Sequence, residues 1–161
     1  MDRFERLASA LRRIPGLEVR ENEPMKRHTT FRIGGPARLM ALPRSRKEAA
    51  AAVRAATEVG IAPFFLGNGS NLLVADHGYE GFVLKACGLD QVREVNRRLR
   101  AESGITLARL ANAALGRGLT GLEFAHGIPG TLGGAVVMNA GAYGGEMVQV
   151  LTAVTYLDGA G

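Results

Sequence analysis

Cysteine is all but missing from this chain: Cys87 stands alone among 161 residues. One thiol excludes an internal disulfide, so packing must hold the fold, as suits a reducing compartment. Cys87 itself reads as a small buried hydrophobe. Aromatic residues are only 6% of the chain, which argues against a nucleic-acid groove, where basic stripes carry interleaved aromatics. No apolar run is long enough to cross a bilayer. The opening MDRFERLASALRRIPG carries acids and an amphipathic pattern, unlike a secretory leader. The expectation is a cytoplasmic protein that meets neither membrane nor nucleic acid. Histidine is scarce too. His28, His77 and His126 lack metal-ligand spacing, so no metal site is expected and each reads as a surface or capping residue. There is no Ser-His-Asp pattern and no G-x-S-x-G.

What is present is an ordinary globular composition, 47% hydrophobic and 22% charged, with enough apolar residues for a core. The length suits one domain, or two small lobes that share a site. Net charge is +5, and seventeen of the twenty basic residues are arginine. They are scattered, with Arg12-Arg13 and Arg97-Arg98 the densest pairs. Plain solubility explains this, and a surface that attracts small anions such as nucleotides is the functional reading.

Phe4, Leu7, Leu11 and Ile14 recur at helical spacing and predict a helix over 2–14, ended by Pro15-Gly16. Residues 22–36 read as a loop entering a strand at 37–43. Ser45 with Glu48 carries the signature of a capping box, and the alanine-rich helix behind it runs to Val59 and stops at Gly60. FFL (64–66), LLVA (72–75) and GFVLK (81–85) read as strands, with GNGSN (67–71) as a tight loop. The first lobe is thus β-α-β-β. VREV (92–95) and LRAES (99–103) suggest a hairpin through Asn96-Arg97. Thr106 is placed to N-cap a helix to Leu115, stopped by Gly116 and Gly118. A short helix is expected over 131–137. VLTAVTYLD (150–158) alternates as a strand and meets a turn at Asp158-Gly159. A strand that enters a turn without a partner leads us to expect further sequence downstream of Gly161, with the end falling inside a domain.

Two glycine-rich stretches carry the chemistry. Residues 127–146, GIPGTLGGAVVMNAGAYGGE, hold seven glycines. Glycine costs backbone entropy and packs nothing. Its concentration points instead to close approach of backbone to a large, flat or anionic ligand. Pro129-Gly130-Thr131 leads into the short helix, whose N-terminus would face an anion. Asn139 to Gly144 is small and flexible enough to lie along a ring system, with a glycine-rich packing turn as the alternative. In Gly67-Asn68-Gly69-Ser70-Asn71, a dinucleotide fingerprint would need glycine at 72 and a helix after it. Position 72 is Leu, so a Rossmann site is excluded. The loop still forms a backbone nest for phosphate oxygens, with Ser70 adding a hydroxyl. An ordinary turn is the alternative. No GK[ST] follows either loop. Glu123 and Glu146 flank the long segment as ligand or capping groups, and Arg32 stands beside two glycines as an anion contact or a plain surface residue.

HTTFRIGGPA (28–37), LGNGSNLLVAD (66–76) and GLEFAHGIPGTLGGAVVMNAGAYGGE (121–146), in this order and spacing, resemble the UDP-N-acetylenolpyruvoylglucosamine reductase (MurB) family. The resemblance runs from about residue 20 to the end, and the third segment is its specific part. It implies an α+β fold of the PCMH (vanillyl-alcohol-oxidase) flavoprotein type, with FAD held non-covalently between two α+β lobes. These would be residues 1–85 and an incomplete 86–161, with no substrate-binding domain. By similarity, Gly67, Asn68, Gly69, Ser70, Asn71 and Leu72 would cradle the pyrophosphate. Pro129, Gly130, Thr131, Gly134, Ala135, Val137, Asn139, Gly141 and Ala142 would line the flavin and the rest of the dinucleotide.

The implied activity is NADPH-dependent reduction of UDP-N-acetylenolpyruvoylglucosamine to UDP-N-acetylmuramate, a step of peptidoglycan precursor synthesis. The implied partners are NADPH and the UDP-sugar, for a monomeric full-length enzyme. The family's acid–base groups are an arginine in Tyr-Arg-x-Ser, a serine proton donor and a late glutamate. None has a match here, so no catalytic residue carries over, and all three are expected downstream of Gly161. His126 departs from the small residue expected at its place and would bring a ring near the flavin pocket. Two other readings stand beside this one: another flavoprotein of the same fold, such as an alcohol or sugar oxidase, and a non-catalytic nucleotide- or RNA-binding module.

Overall fold

The computed structural model describes residues 2–159. Gly161, beyond which the catalytic groups are expected, lies outside the described residues. Helix α1 (Arg3–Arg12) starts at Asp2, whose carboxylate accepts from the Glu5 N–H while Glu5 accepts from the Asp2 N–H. It is shorter than the periodicity predicts, because Arg13 closes the last turn and Ile14 leaves the helix to pack against the core. Strands β1 (Glu18–Pro24) and β2 (Pro36–Leu42), helix α2 (Arg46–Glu58), β3 (Pro63–Leu66) and β4 (Tyr79–Lys85) follow. The four strands form one sheet in the order β1-β2-β4-β3. β1 runs antiparallel to β2, while β2 and β3 both run parallel to β4.

Side chains alternate across this sheet, as strand geometry requires. Leu39, Ala41, Phe82 and Leu84 face α1 and α2, where Leu7, Leu11, Ala52, Val53 and Ala56 complete the main core. Met40, Val83 and Leu66 point to the opposite face, against Met25. Leu72 and Val74 cover that second face.

This corrects one expected strand. Residues 72–75 belong to no strand. Their apolar alternation arises because Leu72 and Val74 lie across the sheet while Leu73 is exposed. The fourth strand is instead β1, whose residues 22–24 fall in the loop expected over 22–36. Its EVRENEP is almost wholly charged or polar because it is an edge strand, where charge blocks unwanted pairing. Ser45 caps α2 as expected, but the Glu48 carboxylate accepts from the Arg44 N–H and the Ser45 hydroxyl.

The chain then forms the hairpin β5 (Val92–Val95) and β6 (Arg98–Ala101), turning at Asn96 and Arg97, both with positive φ. Next come α3 (Leu107–Leu115), capped by Thr106, and α4 (Leu132–Val137). A two-residue hairpin, β7 (Gly141–Ala142) with β8 (Gly145–Glu146), leads to α5 (Met147–Val150). Leu107, Ala125, Ala135 and Met147 form a small core here. The strand expected over 150–158 is not found. Val150 ends α5, and residues 151–158 run without a ladder partner among the described residues. Alternation sets the period of a strand but does not supply the neighbour whose hydrogen bonds make one. At its far end the Gly159 carbonyl accepts from Thr57 on α2 at 2.7 Å.

Candidate functional site

The site starts where β3 ends. Leu66 is buried and pairs with Lys85 across the sheet, and the chain leaves the ladder at Gly67. A Cβ on Gly67 would lie 2.2 Å from Thr131 Oγ1, far inside van der Waals contact, so the two glycine-rich stretches meet here backbone to side chain. Gly69, with φ +65°, presses on the other side: a Cβ there would lie 2.1 Å from the His28 carbonyl oxygen. The Thr30 N–H donates to the Gly69 carbonyl at 3.1 Å, and the Gly35 N–H to the Ala75 carbonyl at 2.9 Å. Ser70 Oγ donates to the Pro129 carbonyl at 3.2 Å. The loop is therefore clasped between residues 28–35 below and 129–131 beside it. All three stretches singled out in the sequence converge on one place.

The clasp leaves donors free. No hydrogen bond among the described residues uses the backbone N–H groups of 68–72. Successive unpaired N–H groups in a turn form a concavity that holds anionic oxygens. The Ser70 hydroxyl already donates within the protein, so the backbone carries this part of the site. At α4 the expected anion-facing helix end is reduced. The Leu132 N–H donates to Ile105 O at 2.8 Å and the Gly133 N–H to Ser103 O at 2.7 Å. Of the four N–H groups at this helix start, those of Thr131 and Gly134 remain open among the described residues. Thr131 is buried under Gly67, and Ala135 faces the small core.

Beyond α4, Val137 and Met138 are exposed. The Asn139 side chain is engaged within the protein. Its Nδ2 donates to Glu146 at 2.9 Å and its Oδ1 accepts from the Val148 N–H at 3.0 Å, which fixes the amide and leaves one N–H and one lone pair uncommitted. Gly141 and Ala142 pair with Glu146 and Gly145, with Tyr143 and Gly144 at the turn and Tyr143 97% exposed. Glu146 and Glu123 take up capping roles, Glu146 at α5 and Glu123 on the Gly121 N–H. Arg32 is an exposed surface residue. His126 is exposed as well. Two open depressions flank the site. One, of about 170 Å³, has an apolar wall of Met25, Phe64, Leu72, Leu73, Val74 and Tyr79. The other, of about 500 Å³, lies beside the β7–β8 hairpin over Phe124, Tyr143 and Gly144.

His28 is not the surface or capping residue expected from the sequence. It is buried, 7% exposed, as is Glu23 at 6%. Its Nε2 sits 2.8 Å from Glu23 Oε1 and its Nδ1 2.8 Å from Lys85 Nζ. An ammonium can only donate, so Nδ1 accepts and Nε2 carries the hydrogen given to Glu23. Burial lowers the His28 pKa, the Glu23 hydrogen bond opposes this, and the Lys85 charge lowers it further. The ring is therefore held neutral. Burial pushes Glu23 upward, but hydrogen bonds from His28 and Arg20, with the charge of Arg20, leave it below its ordinary value. Cys87, half-buried nearby, is pushed up by burial. No sequence signal pointed to this cluster, because Glu23 lies on the unrecognised strand β1. Among the described residues no group of side chains is arranged to hold a metal, and no helix is long and apolar enough to cross a membrane.

A cradle of glycine-tight backbone with open N–H groups fits a dinucleotide's pyrophosphate. Residues 37–161 match the family described as FAD binding domain, and the chain belongs to that family. Its fold is the α+β architecture of PCMH-type flavoenzymes, and FAD is its cofactor. The particular likeness is to UDP-N-acetylenolpyruvoylglucosamine reductases. That of Caldanaerobacter subterraneus subsp. tengcongensis is 53% identical over 137 residues, covering 85% of this chain and 45% of the relative. The crystal structure of the reductase (MurB) from Thermus caldophilus superposes with a TM-score of 0.64 at 35% identity, over 81% of this chain and 45% of that one. A solvent-stable cholesterol oxidase shares the fold alone, with a TM-score of 0.62 at 18% identity over 78% of this chain and 25% of that one. The chain spans about half the length of the curated relatives it matches.

Proposed function

We propose that this chain is the FAD-binding portion of an enzyme that reduces UDP-N-acetylenolpyruvoylglucosamine to UDP-N-acetylmuramate with NADPH, in the cytoplasm, as a step of peptidoglycan precursor synthesis. The observation that carries the reading is the Gly67–Thr131 contact. It joins the two glycine-rich stretches into a single backbone clamp, in a chain 53% identical to a reductase of that name. Two lobes, 1–85 and 86–161, close on the cofactor. Gly67 to Leu72 binds the pyrophosphate through the N–H groups of 68–72. Pro129, Gly130, Thr131 and Gly134 present a second backbone wall, and Ala135 holds that wall to the small core. Val137, the Asn139 backbone, Gly141 and Ala142 border the ring system. When bound, FAD supplies the hydride chemistry that no side chain can. The residues of this chain hold and orient the cofactor. None is assigned proton transfer to the substrate, and that role falls to residues of the whole enzyme downstream of Gly161. NADPH and the UDP-sugar are the partners of the whole enzyme, which acts as a monomer.

The test is titration of the purified chain with FAD, read by quenching of flavin fluorescence. Saturable uptake is expected. A folded chain that takes up no FAD removes the proposal. Mixed with NADPH and the UDP-sugar, the FAD-loaded chain is expected to give no UDP-N-acetylmuramate. Measurable product would show that a proton donor lies within these residues.

A further inference from the structure

The buried cluster around His28 sits beneath the cradle at two points. Lys85 pairs in the sheet with Leu66, the residue just before Gly67. The His28 carbonyl is the surface on which Gly69 rests, and two residues on, the Thr30 N–H holds the Gly69 carbonyl. His28 is itself fixed by side-chain bonds on both ring nitrogens, to Glu23 on β1 and Lys85 on β4. Glu23 is shared with Arg20 at 3.0 Å, and Arg27 stands 4.0 Å away. Cys87 lies close to Lys85 on the next turn. The whole set thus links the edge strand, the central strand and the floor of the loop.

We propose that His28, bridged between Glu23 and Lys85, is a positioning residue for cofactor binding, one that sets the Gly67–Leu72 loop at the height needed to receive the FAD pyrophosphate. The inference rests on the FAD reading above. It works through the neutral ring. A protonated His28 has no lone pair for Lys85 and carries a second positive charge 2.8 Å from the ammonium. Acid therefore breaks the bridge on the Lys85 side and frees the backbone of 28–30 to shift under Gly69. The folded-state pKa of His28 lies below its ordinary 6.5. The bridge is therefore whole above that value and is lost as pH falls through the lower folded value. Burial raises the Glu23 carboxyl, but the hydrogen bonds from His28 and Arg20 hold it below its ordinary value.

The experiment measures FAD dissociation constants between pH 8 and 5 for the unmodified chain, His28→Ala and His28→Gln, with circular dichroism at each pH to confirm folding. The unmodified chain is expected to lose about tenfold in affinity as the His28 ring takes up its proton, followed by NMR on the same samples, the scale of one charge-assisted hydrogen bond. His28→Ala is expected to lose a similar factor already at pH 7.5. His28→Gln, whose amide can both accept from Lys85 and donate to Glu23, is expected to recover most of that loss and to bind with little dependence on pH. An affinity that stays flat for the folded unmodified chain while NMR shows the His28 ring taking up its proton overturns the proposal and needs no variant. So does an acid loss that persists unchanged in His28→Gln, or a folded His28→Ala that binds as tightly as the unmodified chain. If the unmodified chain binds no FAD at any pH, the functional reading falls and this inference falls with it. Binding that ignores His28 leaves that reading intact.

Discussion

The region through Lys85 and the region after it are built on different principles. Before Lys85, two helices and a four-stranded sheet bury twelve residues in one cluster and five in another, with Phe82 and Leu84 among those almost fully enclosed. After it, fewer apolar residues are buried, and the cluster they form holds Leu107, Ala125, Ala135 and Met147, with Leu89, Ile105, Leu110, Ala111 and Ala114 buried outside it. Burial of a large apolar side chain contributes about 1.5–3 kcal/mol, so the first region carries most of the apolar stabilisation. The second adds backbone ties across its loops, through the bonds from Leu107 to Gly130, Leu132 to Ile105 and Gly133 to Ser103. The open N–H groups lie in the loop that leaves the first region's sheet at Gly67, and the second region closes over that loop through Thr131. The contrast implies that stability and cofactor affinity are separable in this chain, and the two meet at the Gly67–Thr131 contact.

The largest expected effect tests the first half of that statement. Phe82→Ala should cost about 3–5 kcal/mol, a large share of the stability of a typical domain, read as the urea midpoint of the apoprotein. Met147→Ala removes a comparable side chain from the small core. If stability resides mainly in the sheet, its effect on the same midpoint should be clearly smaller. Equal midpoint losses would mean that both regions share one cooperative core.

Next in size is the junction. Gly67→Ala drives a methyl into Thr131 Oγ1, and overpacking of this kind costs about 1–3 kcal/mol. The expectation is a modest loss of stability with a disproportionate loss of FAD affinity, because the two loops must part. Thr131→Ala removes the atom 2.2 Å away and leaves the next neighbour at 3.3 Å. In the background of Gly67→Ala it should therefore restore part of the affinity. Failure of the double variant to recover any binding would show that the contact does not set the clamp.

What was legible in the sequence follows the same division. Local chemistry could be read: Ser45 and Thr106 as caps, the Asn96-Arg97 turn, and Leu72 as the residue that excludes a Rossmann loop. These depend on neighbours within a few positions. What failed depended on distant partners. β1 is a strand because β2 pairs with it, whereas residues 72–75 and 150–158 have the alternation of strands without a neighbour to pair with. The bridge through His28 joins positions 23, 28 and 85, which no local pattern connects. The convergence of the glycine stretches was legible only through their resemblance to a family. Glycine content marks that backbone comes close to something, and the folded chain supplies what that is.

The smallest expected effects give the sharpest comparison, since the same chemistry occurs once in each region. Ser45 Oγ accepts from the Glu48 N–H at 3.2 Å to start α2, and Thr106 Oγ1 accepts from the Arg109 N–H at 3.3 Å to start α3. Loss of such a cap typically costs about 1 kcal/mol. Ser45→Ala should show that cost in global unfolding, because α2 packs on the sheet through Ala52, Val53 and Ala56. Thr106→Ala should show less of it there and more as faster amide exchange over 107–115, since α3 lies outside the two clusters packed on the four-stranded sheet and such segments open locally before the whole chain does. Hydrogen exchange and urea unfolding on the two variants decide the matter. Equal shifts in global unfolding, with no local gain in exchange in α3, would mean that the second region is as firmly coupled as the sheet. The contrast drawn between the two would then lose its energetic meaning.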